Sequence, residues 1–470
     1  MTDPLHTPHD RAAIPLAPSL DHSLADAHMP TRLPLLGTRI VRICMLAIGL
    51  GLVVGCVARL LTMLIGLITN LTFHQTWSTA FSRPAGHHLG AWVIVVPALG
   101  GLVVGAMARW GSRAIRGHGI PEAMEQVLTN ESRIPARMTW LKPVSSAIAI
   151  GTGGPFGAEG PIIATGGALG SFLGQRVPVS ADERKTLLAA GAAAGMAAVF
   201  SAPVSAVLLS IELLLFERRA RSLLPVALAA ATGTGVRFAL EGPGPVFPMP
   251  ALAAVAPQAL IVYALLGLLM GVAGVLITRL TYGIEDAFEK LPIHWMWWPA
   301  LGGLVVGAVG YVMPETLGVG YDNITAVISG QLGLSAMALL AFAKLLSWSV
   351  ALGSGTSGGT LAPLFTIGGA LGGVCGLALA AWSPLHVDPH MAALIGMAAL
   401  FAGASRALMT SAVFVFETTM QPHALLPLLA ACTTAYLVSG LMMRHTIMTE
   451  KIARRGVHVP TDFVADHARH

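Results

Sequence analysis

Charged residues are scarce in this chain of 470 residues: they make up 11% of it, whereas soluble domains contain about 25%. So few charges cannot cover a water-facing surface, and 54% of the residues are hydrophobic. The mean hydropathy is +0.72. Most of the chain is therefore expected to face lipid or other buried helices, as in a polytopic helical membrane protein. The net charge of +5 requires no nucleic-acid partner.

Cysteine is also rare, and its four copies lie apart inside apolar segments: Cys44, Cys56, Cys375 and Cys432. This pattern predicts neither a disulfide framework nor a metal site. The apolar segments contain no His/Glu pair with metal-ligand spacing and no serine–lysine pair, which argues against an intramembrane enzyme. We expect no metal and no cofactor. The first 35 residues lack the basic-then-apolar profile of a signal peptide.

Apolar segments long enough to cross, or nearly cross, a hydrocarbon core of about 30 Å recur along the chain. Six are evident: Ile40–Phe73, Ala91–Ala108, Leu187–Phe216, Ala259–Leu280, Leu334–Leu352 and Leu425–Met443. Four basic residues follow the last of them: Arg444, Lys451, Arg454 and Arg455. Because basic residues favour the cytoplasmic side of a membrane, the C-terminus is expected there.

The same ten residues, PALGGLVVGA, occur twice, as Pro97–Ala106 and again 202 residues later as Pro299–Ala308. Other matches keep nearly the same offset, including GMAA at Gly195 and Gly396. A single apolar match is weak, but several at one offset indicate an internal duplication. The sequence predicts a polar tail 1–33, a first membrane repeat 34–240, a Pro-rich linker 241–255, a second membrane repeat 256–456 and a C-terminal tail 457–470.

A Gly- and Pro-rich break interrupts each repeat: GTGGPFGAEGP at Gly151–Pro161 and GSGTSGGTLAP at Gly353–Pro363. So much glycine and proline is incompatible with a regular helix. Non-helical backbone at membrane depth is tolerated only where it lines a cavity or meets a ligand. A helix that begins just after such a break directs unpaired N–H groups and the positive end of its dipole into the gap. The two breaks therefore predict a site for a small anion near mid-membrane.

Glu159 is the only charged residue between Pro143 and Gln175, and it lies inside the first break. The corresponding position of the second repeat is Leu361, so the duplication supplies two cradles but one carboxylate. An ionisable group at this depth costs about 2.5–3.5 kcal/mol and is a functional candidate by default. The carboxylate could occupy the amides in place of an anion and leave on protonation, as a gate coupled to pH. The alternative is a helix cap without a role in transport.

Four segments resemble the signature segments of the CLC chloride channels and chloride/proton antiporters: GHGIP from Gly117, GAEGP from Gly157, GMAAVFSAPVSAVLLSIE from Gly195 and GGTLAP from Gly358. The resemblance implies an all-α, polytopic membrane protein, a two-fold inverted-repeat helical bundle with broken helices, and a homodimer with one pore per subunit. It implies transport of chloride or another small anion, with or without protons, across the lipid bilayer of a bacterial inner membrane, with both termini cytoplasmic. No nucleotide-sensing module is expected at the C-terminal end, because only 15 residues follow Arg455.

The resemblance also assigns site residues. Glu159 corresponds to the external gating glutamate. Lys142 corresponds to a buried basic residue on the side from which the anion enters, unless it pairs with a carbonyl or carboxylate as a structural residue. The anion-binding positions are Gly117, His118, Gly119, Ile120, Pro121, Gly157, Ala158, Gly160, Thr360, Leu361, Ala362 and Met448.

Three positions depart from the family pattern. His118 replaces a serine and either donates to the anion or turns aside into another hydrogen bond. Met448 replaces a tyrosine and cannot donate a hydrogen bond, so the inner constriction is expected to be apolar. Leu213 replaces a second glutamate of the antiporters, which removes the familiar internal proton relay. Glu212 beside it recurs as Glu417 in the second repeat, and a repeated acid is expected to cap or pair at a helix end.

These departures favour an anion channel gated by Glu159 slightly over an exchanger. The alternative is an anion/proton antiporter whose protons take another route. A fluoride exporter is included in that alternative, because the fluoride-exporting branch of the family also departs at the serine position. His118 and Thr360 are the candidate donors to fluoride. The sequence leaves open the choice between channel and exchanger, the preferred anion and the contact of His118 with it.

Overall fold

Helices account for almost all of the ordered backbone in the computed structural model, which describes residues 38–217, 219–382 and 387–459. Two isolated bridges are the only extended pairings among these residues. The predicted tail 1–33 and residues 460–470 of the predicted C-terminal tail lie outside the described residues. The described residues from Ile43 onwards form one unit.

The described helices divide at the Pro-rich segment that follows Glu241. Eight precede it: α1 Thr38–Thr69, α2 Val96–Trp110, α3 Ile120–Thr129, α4 Met138–Gly151, α5 Glu159–Arg176, α6 Ala181–Phe200, α7 Pro203–Leu209 and α8 Ala220–Glu241. Nine follow it: α9 Pro257–Glu289, α10 Trp298–Val312, α11 Tyr321–Ile328, α12 Leu334–Gly353, α13 Leu361–Trp382, α14 Pro389–Ser405, α15 Leu408–Thr419, α16 Leu425–Met442 and α17 Glu450–Arg454. A π-helical turn, Ser210–Leu215, directly continues α7.

Eight helical stretches of the described chain are long and apolar enough to cross a membrane: Thr38–His74, Gly90–Trp110, Ala220–Glu241, Pro257–Glu289, Trp295–Val312, Leu334–Gly353, Leu361–Ala381 and Pro422–Met442. Five of the six segments predicted from the sequence coincide with members of this set. The prediction that the sixth segment, Leu187–Phe216, is a single span was wrong. Ser201 adopts a left-handed conformation with φ of 51°, and Pro203 starts a new helix, so α6 ends at Phe200.

The two copies of the repeated decamer pack against each other, on α2 and α10. Four glycines face a main-chain carbonyl of the other copy or of the residues just before it: Gly101 faces Pro299, Gly105 faces Met296, Gly303 faces Pro97 and Gly307 faces Ile94. As the residue number rises on one helix it falls on the other, so the helices run antiparallel. A Cβ at any of these glycines would overlap the facing carbonyl oxygen. Each copy therefore supplies the small-residue surface that the other needs for close packing.

Candidate functional site

The breaks of the two repeats meet in the interior of the protein. The Gly117 N–H donates to the Thr356 carbonyl at 3.1 Å, and the Gly359 N–H donates to the Gly157 carbonyl at 3.1 Å. Gly160 has no room for a side chain, because a Cβ there would overlap the His118 carbonyl and lie 3.0 Å from the Gly359 Cα. The starts of α3, α5 and α13 are therefore in contact with one another, and we call the space between them the cradle.

The turn into α3 depends on two glycines. Gly117 and Gly119 have φ of 101° and 92°, a backbone conformation that side chains with a Cβ rarely adopt. The Gly119 N–H donates to Glu122 Oε2 at 2.7 Å, and Glu122 is in turn paired with Lys451 at 2.7 Å. The anchored turn fixes His118 between two glycines at the edge of the cradle.

Glu159 lies in the cradle and is fully buried. Tyr321 Oη donates to its Oε1 at 3.2 Å, and its Oε2 lies beside two glycines, since a Cβ on Gly157 or on Gly359 would lie 1.6 or 3.0 Å from it. The carboxylate thus lies between the starts of α5 and α13, where the sequence predicts an anion. The other positions predicted at these starts are also buried: Ile120, Pro121, Ala158, Leu361 and Ala362.

Three polar atoms around the cradle are buried and have no hydrogen-bond partner among the described residues. They are His118 Nδ1, Glu159 Oε2 and Thr360 Oγ1. Each comes from a different helix start, at α3, α5 and α13. An unpaired polar atom in a protein interior costs about 1–3 kcal/mol, so such a cluster is typical of a site that receives a ligand.

Tyr321 was not predicted from the sequence as a site residue. It begins α11, and its ring packs edge-on against Phe200 and Phe247, with ring centroids 5.6 and 5.8 Å away. The repeat offset could have identified it, because GVGYDNITAVIS from Gly318 matches the GHGIP segment and places Tyr321 opposite Ile120. The second repeat therefore contributes a hydroxyl to the cradle where the first has an alkyl group.

Two buried lysines hold the segments that precede α3 and α11. Lys142 Nζ donates to the carbonyls of Ile115 and Gly117, both at 2.8 Å. Lys344 Nζ donates in the same way to the carbonyls of Thr316 and Gly318, at 2.9 and 3.1 Å. Lys142 thus pairs with carbonyls, which is the structural alternative to a role at the anion entry. Lys344, its counterpart at the repeat offset of 202 residues, was not predicted from the sequence as a site residue.

Two openings lead towards the cradle from opposite ends of α10. The wide vestibule, of about 730 Å³, is lined by residues that include Arg116, His118, Tyr282, Trp298, Ile447 and Lys451. The narrow cleft, of about 150 Å³, is lined by residues that include Phe81, Arg83, Pro314, Gly318, Gly320 and Asp322. Because Trp298 begins α10 and Pro314 follows its end, the openings are separated by the helix length of about 22 Å.

Met448 lies in a buried turn at the edge of the wide vestibule. Its neighbour Ile447 lines the vestibule, and Tyr282 Oη donates to the Ile447 carbonyl at 2.8 Å. The Met448 N–H contacts Thr446 Oγ1 at 3.2 Å, and the methionine is fully buried. The apolar constriction expected at this residue stays a prediction.

Glu212 and Glu417 cap helices of the opposite repeat, which confirms the structural role predicted for a repeated acid. The carboxylate of Glu212 accepts hydrogen bonds from the N–H groups of Met409 and Thr410, both at 3.0 Å, at the start of α15. Glu417 accepts from the N–H groups at the start of α7, namely Val204 at 2.9 Å and Ser205 at 2.8 Å. Both acids neutralise the positive end of a helix dipole.

The sequence is similar to a known protein family and to known relatives. The model of the voltage gated chloride channel family matches residues 99–440. A putative chloride channel protein, ClcB-like, from Ralstonia nicotianae is 30% identical over 366 residues, which cover 77% of this chain and 85% of the relative. An H+/Cl− exchange transporter from Cronobacter sakazakii is 33% identical over 356 residues, with 72% of this chain and 75% of the relative covered.

Solved structures share the fold. The crystal structure of a slow cyanobacterial Cl−/H+ antiporter superposes with a TM-score of 0.80 at 23% identity and covers 89% of this chain and 98% of that one. A CLC-type fluoride/proton antiporter superposes with a TM-score of 0.69 at 21% identity, with coverage of 85% and 95%. The broken helices, the inverted repeat and these matches lead to one conclusion: the chain belongs to the CLC family of chloride channels and transporters, and is a membrane protein for anion transport rather than an enzyme.

Proposed function

We propose that this protein exchanges chloride for protons and that both ions use the cradle. The observation that carries the proposal is the position of Glu159, whose buried carboxylate lies beside Gly157 and Gly359, at the starts of two helices that are suited to an anion. A carboxylate and a chloride ion cannot occupy the same amides, so binding of one requires release of the other. Relatives from Cronobacter sakazakii and Vibrio cholerae, at 33% and 32% identity, are named H+/Cl− exchange transporters, which supports the proposal.

The exchange follows from the charge of one side chain. Protonation removes the negative charge that holds Glu159 on the amides, so the neutral side chain leaves and chloride enters. Backbone N–H groups and the positive ends of α5 and α13 stabilise the chloride ion. When Glu159 loses its proton to the other side, the carboxylate returns and displaces the anion. The Tyr321 hydroxyl serves either occupant, because it donates equally to a carboxylate or to a halide.

Closure of the path supports exchange over passive conduction. Glu159 and Met448 are fully buried, and His118 is 3% exposed, so the site that these side chains form is closed to solvent. A passive channel conducts through a path open at both ends, whereas an exchanger exposes its site to one side at a time. The preference for conduction drawn from the sequence rested on Leu213, which concerns the proton route and not the gate.

Fluoride is the second candidate substrate. The unpartnered His118 Nδ1 and Thr360 Oγ1 provide two donors beside the amides. Fluoride is smaller and more strongly hydrated than chloride, so it needs more donors to replace its water shell. We assign the predicted set of anion-binding residues to this cradle for either halide. Lys142 and Lys344 act on the anion through the field of their charges and not by contact.

We further propose a homodimer in a bacterial inner membrane, with both termini in the cytoplasm. Apolar side chains on α7, α8, α15 and α16 are exposed in the single chain, among them Val204 at 56% and Met409 at 46%. Val204 lies at the start of α7, which Glu417 caps, and Met409 lies at the start of α15, which Glu212 caps. These caps would keep a contact surface between two subunits rigid. Static light scattering of the purified protein in detergent would give twice the chain mass; a monomer mass would contradict the dimer.

Reconstitution into liposomes tests the proposed exchange. With a chloride gradient, equal pH on both sides and the membrane potential clamped by valinomycin and K⁺, chloride efflux is followed with a silver electrode and proton movement with a pH electrode. Exchange predicts proton uptake driven by the chloride gradient. Glu159→Gln is expected to continue anion flux without proton movement. Chloride flux without proton movement in the unmodified protein identifies a channel, and proton movement driven by fluoride but not chloride identifies the second candidate.

A further inference from the structure

We propose that the imidazole of His118 carries protons between the wide vestibule and Glu159, in addition to any contact that it makes with the anion. The inference rests on the proposed exchange and supplies its missing step, a proton route on the vestibule side. It begins from the place of one side chain. His118 lines the wide vestibule, while its main-chain carbonyl packs against Gly160, the residue next to Glu159.

The His118 ring is built into the protein and yet keeps one nitrogen free. The side chain is 3% exposed, and Ile447 lines the same vestibule. Nδ1 has no partner among the described residues. A neutral imidazole has one nitrogen that accepts a proton and another that donates one, so a buried ring with an unpartnered nitrogen can pass a proton along.

Two other acids on this side of the molecule are held by hydrogen bonds. Both oxygens of Glu212 accept hydrogen bonds at the start of α15, and Leu213 beside it cannot titrate. Glu122 is held by the Gly119 N–H and by Lys451, at 2.7 Å each. Among the described residues that line the wide vestibule, His118 is the titratable side chain whose own backbone contacts the start of α5.

The charges that face the ring allow it to release a proton again. Lys142 on α4 and Lys451 on α17 are positive, and Glu122 on α3 is negative. Tyr282 and Glu285 on α9, together with Arg113 and Arg116, line the same vestibule. Burial and the two lysines disfavour a permanent imidazolium, whereas Glu122 and a negative charge in the cradle, either the Glu159 carboxylate or an anion, favour it. Protonation of His118 is thereby linked to occupancy of the cradle.

The transfer has two steps and needs no other reactant. A neutral imidazole first takes a proton from a hydronium ion in the wide vestibule, which leaves a water molecule, and becomes an imidazolium. The imidazolium then gives a proton to the carboxylate of Glu159, directly or through a water molecule, and returns to the neutral form. The result is a neutral Glu159 that leaves the amides to the anion. Reversal of both steps carries a proton from Glu159 to the wide vestibule.

Transport by His118→Gln tests the relay, because glutamine keeps hydrogen-bonding atoms but does not titrate near neutral pH. In the same liposome assay we expect the number of protons moved per anion to fall at least tenfold, whatever the rate of anion flux. We also expect the ratio to lose its dependence on pH on the vestibule side. The matched control is His423→Gln, the same change at an exposed histidine, which should keep the ratio of the unmodified protein.

The outcomes separate the relay from the exchange itself. An unmodified protein that moves protons, together with a His118→Gln variant that has an unchanged ratio and pH dependence, overturns the relay alone. An unmodified protein without proton movement overturns the exchange and the relay with it. If His118→Gln does not fold, His118→Asn and His118→Ser are measured by the same ratio. Retained proton movement in either of them would refute the proposal.

Discussion

Replacement of Glu212 by glutamine or alanine should destabilise the protein without changing its proton coupling. Glu212 accepts two backbone N–H groups of α15 at 3.0 Å and the Thr410 hydroxyl at 2.6 Å. Hydrogen bonds to a charged group contribute about 1.5–3 kcal/mol each, and they are not additive. Alanine leaves the N–H groups unpaired, and we expect it to cost about 3–4 kcal/mol. Glutamine keeps one acceptor oxygen, and we expect it to cost about half of that.

Glu417 provides the matched comparison, since its carboxylate makes the equivalent bonds to Val204 and Ser205 at the start of α7. Tryptophan fluorescence during heating in detergent, at a single scan rate, compares Tm among the four variants and the unmodified protein. We expect a similar loss, of roughly several degrees, for each matched pair, because a change of 1 kcal/mol shifts Tm by about 2–4 °C in domains of 150–250 residues and by less in a larger chain.

Transport measurements on the same variants decide between a cap and a relay. The liposome assay should give an unchanged ratio of protons to anions for Glu212→Gln, because the carboxylate faces the start of α15 and not the cradle. A Glu212→Gln protein with the Tm of the unmodified chain and no proton movement would refute the argument. That result would mean that the carboxylate titrates during transport and contributes little as a cap.

Two other predictions concern packing and electrostatics. Gly101→Leu or Gly303→Leu should prevent correct folding, because a Cβ at either position overlaps the facing carbonyl. Gly49→Leu should fold, because a Cβ there meets nothing within 4 Å. The yield of monodisperse protein in gel filtration measures the difference, and equal yields for the three variants would contradict the packing. Lys344→Met should weaken anion binding about three- to tenfold, because it removes a buried positive charge near the cradle, whereas Lys290→Met at an exposed lysine should not. Isothermal titration calorimetry with chloride measures both affinities. Equal affinities of the two variants would show that the charge of Lys344 does not stabilise the bound anion.

The position of the site could be predicted from the sequence to a large extent. Glycine and proline are so concentrated in the two breaks that no continuous helix can form there, and the repeat offset relates one break to the other. A single carboxylate in an apolar segment is costly enough to stand out. These are local properties of the chain, so Glu159 and the starts of α5 and α13 could be identified from the sequence.

Other features depended on what each residue meets in space. Ser201 ends α6 inside an apolar segment whose hydropathy predicts one span, because hydropathy does not report the left-handed turn at Ser201 or the new helix that Pro203 starts. Tyr321 is 162 positions from Glu159 in the chain, and its hydroxyl reaches the carboxylate only in the folded protein. Lys344 has an unremarkable apolar neighbourhood in the sequence, and its partners are carbonyls, which every residue carries.

The sequence by itself determined that this chain crosses a membrane, that it is duplicated and that a carboxylate lies beside amides freed from helices. Hydropathy, repetition and the conformational limits of glycine and proline are sufficient for those conclusions. Only the tertiary structure decided that the repeated acids are caps, that the lysines bind carbonyls and that His118 lies between a vestibule and the cradle. Those roles depend on distances between segments far apart in the chain, and such distances are fixed by the packing of antiparallel repeats around their shared interior.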